Sequence, residues 1–210
     1  MSRLAFIIIF LSLSASFAAV AVQDSVLLGD PVAGKAKSEV CTACHGVDGN
    51  SPTPIWPKIA GLSQSYILSQ LLEYQKGDKG SRNDPTMYSI VQNFNQQDLA
   101  DLAAYFSSQE MTIGTAQQNL VALGQQIYRG GNILSGVPAC AACHGATGTG
   151  NSLAKFPRLG GQNSAYIVDQ LTKFKTMARH NDPNSMMENI AGRLTDKEIE
   201  AVASYVSGLH

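Results

Sequence analysis

The chain has 210 residues, 44% of them hydrophobic and 15% charged, with a formal net charge of −1. That composition is globular and excludes a disordered or fibrous protein. No Lys/Arg cluster is present that could track phosphates, which excludes a nucleic-acid-binding field.

Arg3 is the only charge among the first 23 residues, and an apolar run from Leu4 to Leu13 is broken only by Ser12. Ala19-Val20-Ala21 then fits a small-residue cleavage signal, so residues 1–21 read as a secretory leader cut after Ala21 or Ala18. A retained anchor is the rival reading, but the run is short of the ~20 residues a bilayer span needs. Losing Arg3 leaves 14 basic against 16 acidic residues, a net charge of −2.

Helices are expected throughout and no segment alternates as a strand. A short helix is expected over residues 31–40, running into Cys41-Thr42-Ala43-Cys44-His45. Gly46 and Gly49 mark a loop, and a middle helix over 65–76 stops at Gly77. Met87 follows Asn83-Asp84-Pro85 in a stretch expected to be irregular. Leu99, Leu102, Ala103 and Phe106 then share one helical face, with Asn95 as N-cap. Residues 109–117 carry no apolar stripe and form the expected boundary between an N-terminal domain, 22–110, and a C-terminal domain, 111–210.

The pattern then recurs. A helix over 120–128 precedes Cys140-Ala141-Ala142-Cys143-His144, glycines follow at 145, 148 and 150, and a middle helix covers 164–175. Thr195 opens a capping box with Glu198, after which Ile199, Val202, Ala203 and Val206 share a face. Pro57-Lys58-Ile59 answers to Pro157-Arg158-Leu159, Tyr66-Ile67 to Tyr166-Ile167, Gln70-Leu71 to Gln170-Leu171, and Tyr105 to Tyr205. Matching at a nearly constant offset means a duplicated unit. Each unit of about 90 residues is small for a well-buried core, and a large apolar cofactor would supply what the chain lacks.

Four cysteines in an exported chain would ordinarily suggest two disulfides. Here each pair is followed directly by His, and C-x-x-C-H is the attachment signature of c-type haem. Two thiols three positions apart on a helical turn can each add to one vinyl group, and the next residue presents an imidazole to the iron. A thioredoxin-like dithiol wants a βαβ context, and a zinc site would need ligands whose spacing fits no zinc pattern. For the sixth ligand, Met87 is the candidate in the first unit and Met186 or Met187 in the second; counting back from Tyr205 favours Met187. Met111, Met177 and the unchosen member of the pair are read as core fillers. His180 is read as a surface residue and His210 as a solvated terminus.

Both C-x-x-C-H motifs, the paired Pro/Gly segments, the Met loops and the ending Ser204-Tyr205-Val206-Ser207-Gly208-Leu209-His210 resemble the class I c-type cytochromes, and among them the dihaem c4 type. The resemblance runs from about Gly29 to His210 and implies an all-α protein of two tandem cytochrome c domains, each holding one covalent haem. It implies thioether links through Cys41, Cys44, Cys140 and Cys143, with His45 and Met87 on the first iron and His144 and Met187 on the second. Pro57 and Pro157 are similar to the family proline whose carbonyl accepts a hydrogen bond from the proximal imidazole. It further implies an electron carrier without a small-molecule substrate, located in the periplasm and working between a quinol-oxidising complex and a terminal oxidase; peripheral membrane association stays open. The alternatives are a cytochrome subunit of a flavoprotein such as a sulfide dehydrogenase, or a dihaem peroxidase with one displaceable ligand.

Overall fold

The computed structural model describes residues 27–210, so the leader reading of residues 1–21 lies outside them. In chain order the helices are α1 Pro31–Lys37, α2 Glu39–His45, α3 Gln64–Tyr74, α4 Pro85–Val91 and α5 Gln96–Ser107, followed by α6 Val121–Gly130, α7 Ala141–His144, α8 Ser164–Lys175, α9 Met186–Ala191 and α10 Asp196–Ser207. Short 3-10 turns lie at Gly77–Lys79 and Pro183–Ser185. Among the described residues the only β pairings are two isolated bridges.

Local chemistry sets most of these boundaries. Asp30 accepts from Val32 N–H, with Pro31 in the first turn, which opens α1 where a proline N–H would be unsatisfied anyway. Reciprocal capping boxes open α5 (Asn95 with Asp98) and α10 (Thr195 with Glu198). The expected helix over 31–40 instead breaks at Ser38, and the first C-x-x-C-H lies on its own helix, α2. The stretch around Met87, expected to be irregular, is helical: Asp84 caps α4 by accepting from Thr86 and Met87 N–H, both at 3.0 Å. Asn-Asp-Pro thus acts as a helix start, an N-cap followed by proline at the first helical position.

Two apolar cores follow, one per unit. Leu99, Leu102, Ala103 and Phe106 of α5 lie in the first, and Ile199, Val202, Ala203 and Val206 of α10 in the second. In each unit the first helix crosses the last at a glycine. A Cβ at Gly34 would stand 2.0 Å from Asp101 O, and one at Gly124 would stand 2.3 Å from Ala201 O. Of the methionines read as fillers, Met111 is buried in the first core. Met177 is not: it is 66% exposed with φ of 60° just past α8, where the chain reverses direction and leaves the side chain no core to enter. His180 and His210 are exposed.

Charge ties α1 to α5. Asp101 accepts from Asp30 N–H at 2.9 Å, Lys37 Nζ at 2.6 Å and Gln97 Nε2 at 2.8 Å. The Asp30 N–H foremost, then Lys37 and Gln97, hold its carboxyl at about 2, against an ordinary value of 3.8. A depressed carboxylate stabilises the fold fully above the unfolded value and loses that contribution as pH falls through the folded one. Asp101→Asn should therefore cost about 1–3 kcal/mol at neutral pH. Urea unfolding compared at pH 7 and pH 2 will show the difference between variant and parent shrinking at the acid end.

Candidate haem sites

Each His of the C-x-x-C-H motifs ends its helix, where a glycine with positive φ turns the chain: Gly46 has φ of 81° and Gly145 of 83°. His45 Nδ1 lies 2.9 Å from Pro57 O, and His144 Nδ1 lies 2.9 Å from Pro157 O. A carbonyl can only accept, so Nδ1 carries the proton and Nε2 keeps a free lone pair. Both rings are buried, and burial lowers both imidazole pKa values, partly opposed by the proline carbonyl. The imidazoles are thus held neutral and oriented, as an iron ligand must be.

Cys41, Cys44 and His45 line one cavity together with Met87, Ile90 and Leu71. The four thiols are not paired with one another, and burial pushes Cys41 and Cys140 up to about 11. Met87 packs on the first core with Ile90 and Phe94. In the second unit Ile190 and Leu194 occupy the matching places, three and seven residues past Met187. Met187 N–H donates to Asp182 at 2.5 Å. Met186 is turned about 100° away from that helical register. Two left-handed residues, Asn184 and Ser185, absorb the extra length of the second loop and allow this alignment.

The units pack through a polar interface with local two-fold character. Arg82 donates to Gln70 at 2.5 Å, Tyr166 Oη at 2.6 Å and Gln170 at 3.1 Å. Arg179 answers with Gln170 at 2.7 Å, Tyr66 Oη at 3.2 Å and Gln70 at 3.1 Å. Each guanidinium lies over an aromatic ring of its own unit, Arg82 over Tyr74 at 4.7 Å and Arg179 over Phe174 at 4.4 Å. Beside them Gln162, 2% exposed, clamps the Lys58 backbone: its Oε1 accepts from Lys58 N–H at 2.8 Å and its Nε2 donates to Lys58 O at 2.7 Å. Asn163 leaves the N-terminus of α8 without a side-chain cap and instead donates across the interface to Trp56 O.

These interface residues escaped the sequence reading. Tyr66, Gln70, Tyr166 and Gln170 stood out only as repeats, and Arg82 and Arg179 stand at different distances from their Asn-Asp-Pro, which hides their equivalence.

Two buried arginines with neutral partners test whether a haem fits. Among the described residues neither forms an ion pair with a carboxylate. Burial alone would raise the Tyr66 phenol, yet Arg179 and Arg82 bring it below its ordinary value, a measure of the positive field there. A buried charge needs a counter-charge. Arg82 lines the cavity that holds the thiols and His45, so a haem placed there would bring its propionates as the missing anions. Donor set, apolar lining and charge demand all fit the group.

A family model described as Cytochrome c matches residues 32–110 and again 121–210. The chain is 48% identical over 183 residues to cytochrome c4 of Pseudomonas aeruginosa, covering 87% of this chain and 90% of that one. It is 33% identical over 177 residues to the thiosulfate dehydrogenase electron acceptor of Thiomonas intermedia, covering 80% and 77% respectively. The crystal structure of reduced recombinant cytochrome c4 from Pseudomonas stutzeri superimposes with a TM-score of 0.85 at 45% identity, over 87% of this chain and all of that one.

Proposed function

Because the chain belongs to the cytochrome c family, as a two-domain protein of the c4 type with two covalent haem c groups, we propose that it relays single electrons in the periplasm between a quinol-oxidising complex and a terminal oxidase. The observation that carries this is the duplicated geometry: in both units an attachment-motif imidazole is locked by a proline carbonyl at 2.9 Å. Cys41 and Cys44 would hold the first haem and Cys140 and Cys143 the second, with the domains dividing near residue 110. His45 with Met87, and His144 with Met187, would ligate the two irons.

The haem supplies the redox step, its iron passing between ferric and ferrous states. The chain supplies the rest. Pro57 and Pro157 keep each imidazole oriented, so the ligand need not reorganise when the charge changes. Met87 and Met187 offer thioether sulfur, which favours the reduced state. Apolar walls exclude water, and Arg82 and Arg179 supply positive charge between the units. The leader-like residues 1–21 support the periplasmic location, and among the described residues no helix is long and apolar enough to cross a membrane.

A peroxidase reading predicts one unit without a usable methionine, and the presence of Met87 on α4 and Met187 on α9 supports the carrier instead. The deciding experiment is optical. The reduced pyridine adduct should count two haems per chain, and the oxidised protein should show sulfur-to-iron absorption of two methionine-ligated centres. Intensity for only one, or ready carbon monoxide uptake by the unmutated protein, would turn the reading towards an enzyme.

A further inference from the structure

The second unit carries a feature that the first lacks. Gly34 stands seven residues before Cys41, whereas Gly124 stands sixteen before Cys140. The longer connection includes a closed loop, 132–137: Asn132 and Val137 exchange backbone hydrogen bonds at 2.8 and 2.9 Å, and Asn132 Oδ1 accepts from Leu134 N–H at 3.1 Å. The loop after the haem motif repeats this construction. Asn151 and Phe156 exchange two bonds at 2.9 Å, and Asn151 Oδ1 accepts from Leu153 and Ala154 N–H, both at 3.1 Å.

Both loops are thus pinned at base and tip, and what they pin is aliphatic. Ile133 is 93% exposed, Leu134 99% and Leu153 96%. Single exposed apolar residues are ordinary, but rigid tips that hold them out together mark a contact surface. Both loops are rooted on α7. The first runs through Pro138 and Ala139 into Cys140, and the second is tied by Gly150 N–H to His144 O at 2.8 Å.

The exposed charge on the loops is positive, and the Glu198 carboxylate that touches the first of them is buried, accepting from Asn132 Nδ2 at 2.7 Å. No acidic residue occurs between Arg129 and Asp169, while Lys155 and Arg158 do. Lys155 is exposed in the second loop, and exposed Arg193 braces the first by donating to Gly136 O at 3.0 Å. The corresponding segment of the first unit has Asp48 after its motif and no extra loop before it.

We propose that these two tips form the docking surface for a redox protein whose own face is apolar and ringed by carboxylates, so that electrons enter or leave the chain at the second unit. The proposal rests on the electron-transfer reading above and adds where the partner sits and what its surface is like. Charge complementarity selects an acidic partner, and the aliphatic tips give short-range contact once it has arrived. A lipid bilayer is the weaker occupant, because it would cover α7, the helix that would carry the second haem, and shut a protein partner out.

The test uses the haem-loaded full chain and its Leu134→Ser/Leu153→Ser variant on gold coated with mixed methyl- and carboxylate-terminated thiols. The parent should exchange electrons with this surface faster than the variant by about tenfold or more. On a hydroxyl-terminated coating the two should be alike. Equal rates on the mixed coating, or a parent that does not exchange electrons with it, would overturn the proposal. So would sedimentation of the parent, but not the variant, with phosphatidylglycerol vesicles, which would assign the tips to a membrane. Voltammetry in free solution keeps the two questions apart: two reversible centres in both proteins uphold the electron-transfer reading whatever the electrode shows, and their absence from the parent would sink that reading itself.

Discussion

Met87→Ala will lower the potential of the first haem by hundreds of millivolts, within the ~0.8 V range that axial ligand identity commands, and will let carbon monoxide bind there. The reason is local. Met87 sits on the third residue of α4, held by the Asp84 cap and packed against the first core, so no nearby side chain replaces its sulfur without unwinding that helix. Redox titration with optical detection will resolve one shifted centre and one unchanged. Met187→Ala should do the same to the second haem, whereas Met186→Ala should leave both where they are. If Met186→Ala shifts a potential and Met187→Ala does not, the register drawn from Ile190 and Leu194 is off by one residue.

Gln162→Ala should uncouple the two units. Its amide satisfies both backbone groups of Lys58 across the interface, and its loss leaves an N–H and a C=O buried without partners. At about 1–3 kcal/mol for each such group, the docking of the units weakens by roughly 2–6 kcal/mol. Gln162 does not line the cavity of the first unit, so the spectrum of the first haem should stay as in the parent. Limited proteolysis in the 109–117 segment should become fast, and thermal unfolding should split into two transitions. A single transition at the parental temperature would mean that the arginine network holds the interface without this clamp.

Several features were legible before any coordinates because their causes lie within a few residues. The N-cap at Asn95 and the capping box at Thr195 act over three positions, and the apolar faces of α5 and α10 follow from a 3.6-residue period. The helix at Met87, where an irregular stretch is expected, has a local cause as well: Asp84-Pro85 is a helix start signal. Met177 was misplaced because a lone methionine reports apolar character but not which way the chain turns beneath it.

The cofactor class is written locally, because the attachment signature of c-type haem occupies five consecutive residues, twice. The tertiary structure alone decided how the two halves are joined. Arg82 meets Tyr166 across 84 positions, Arg179 meets Tyr66 across 113, and Gln162 meets Lys58 across 104. Contacts at such separations depend on how whole units pack, and no periodicity or motif encodes them. The loop tips beside α7 belong to the same class: they carry no motif, and only the packing shows that nothing among the described residues covers Leu134 and Leu153.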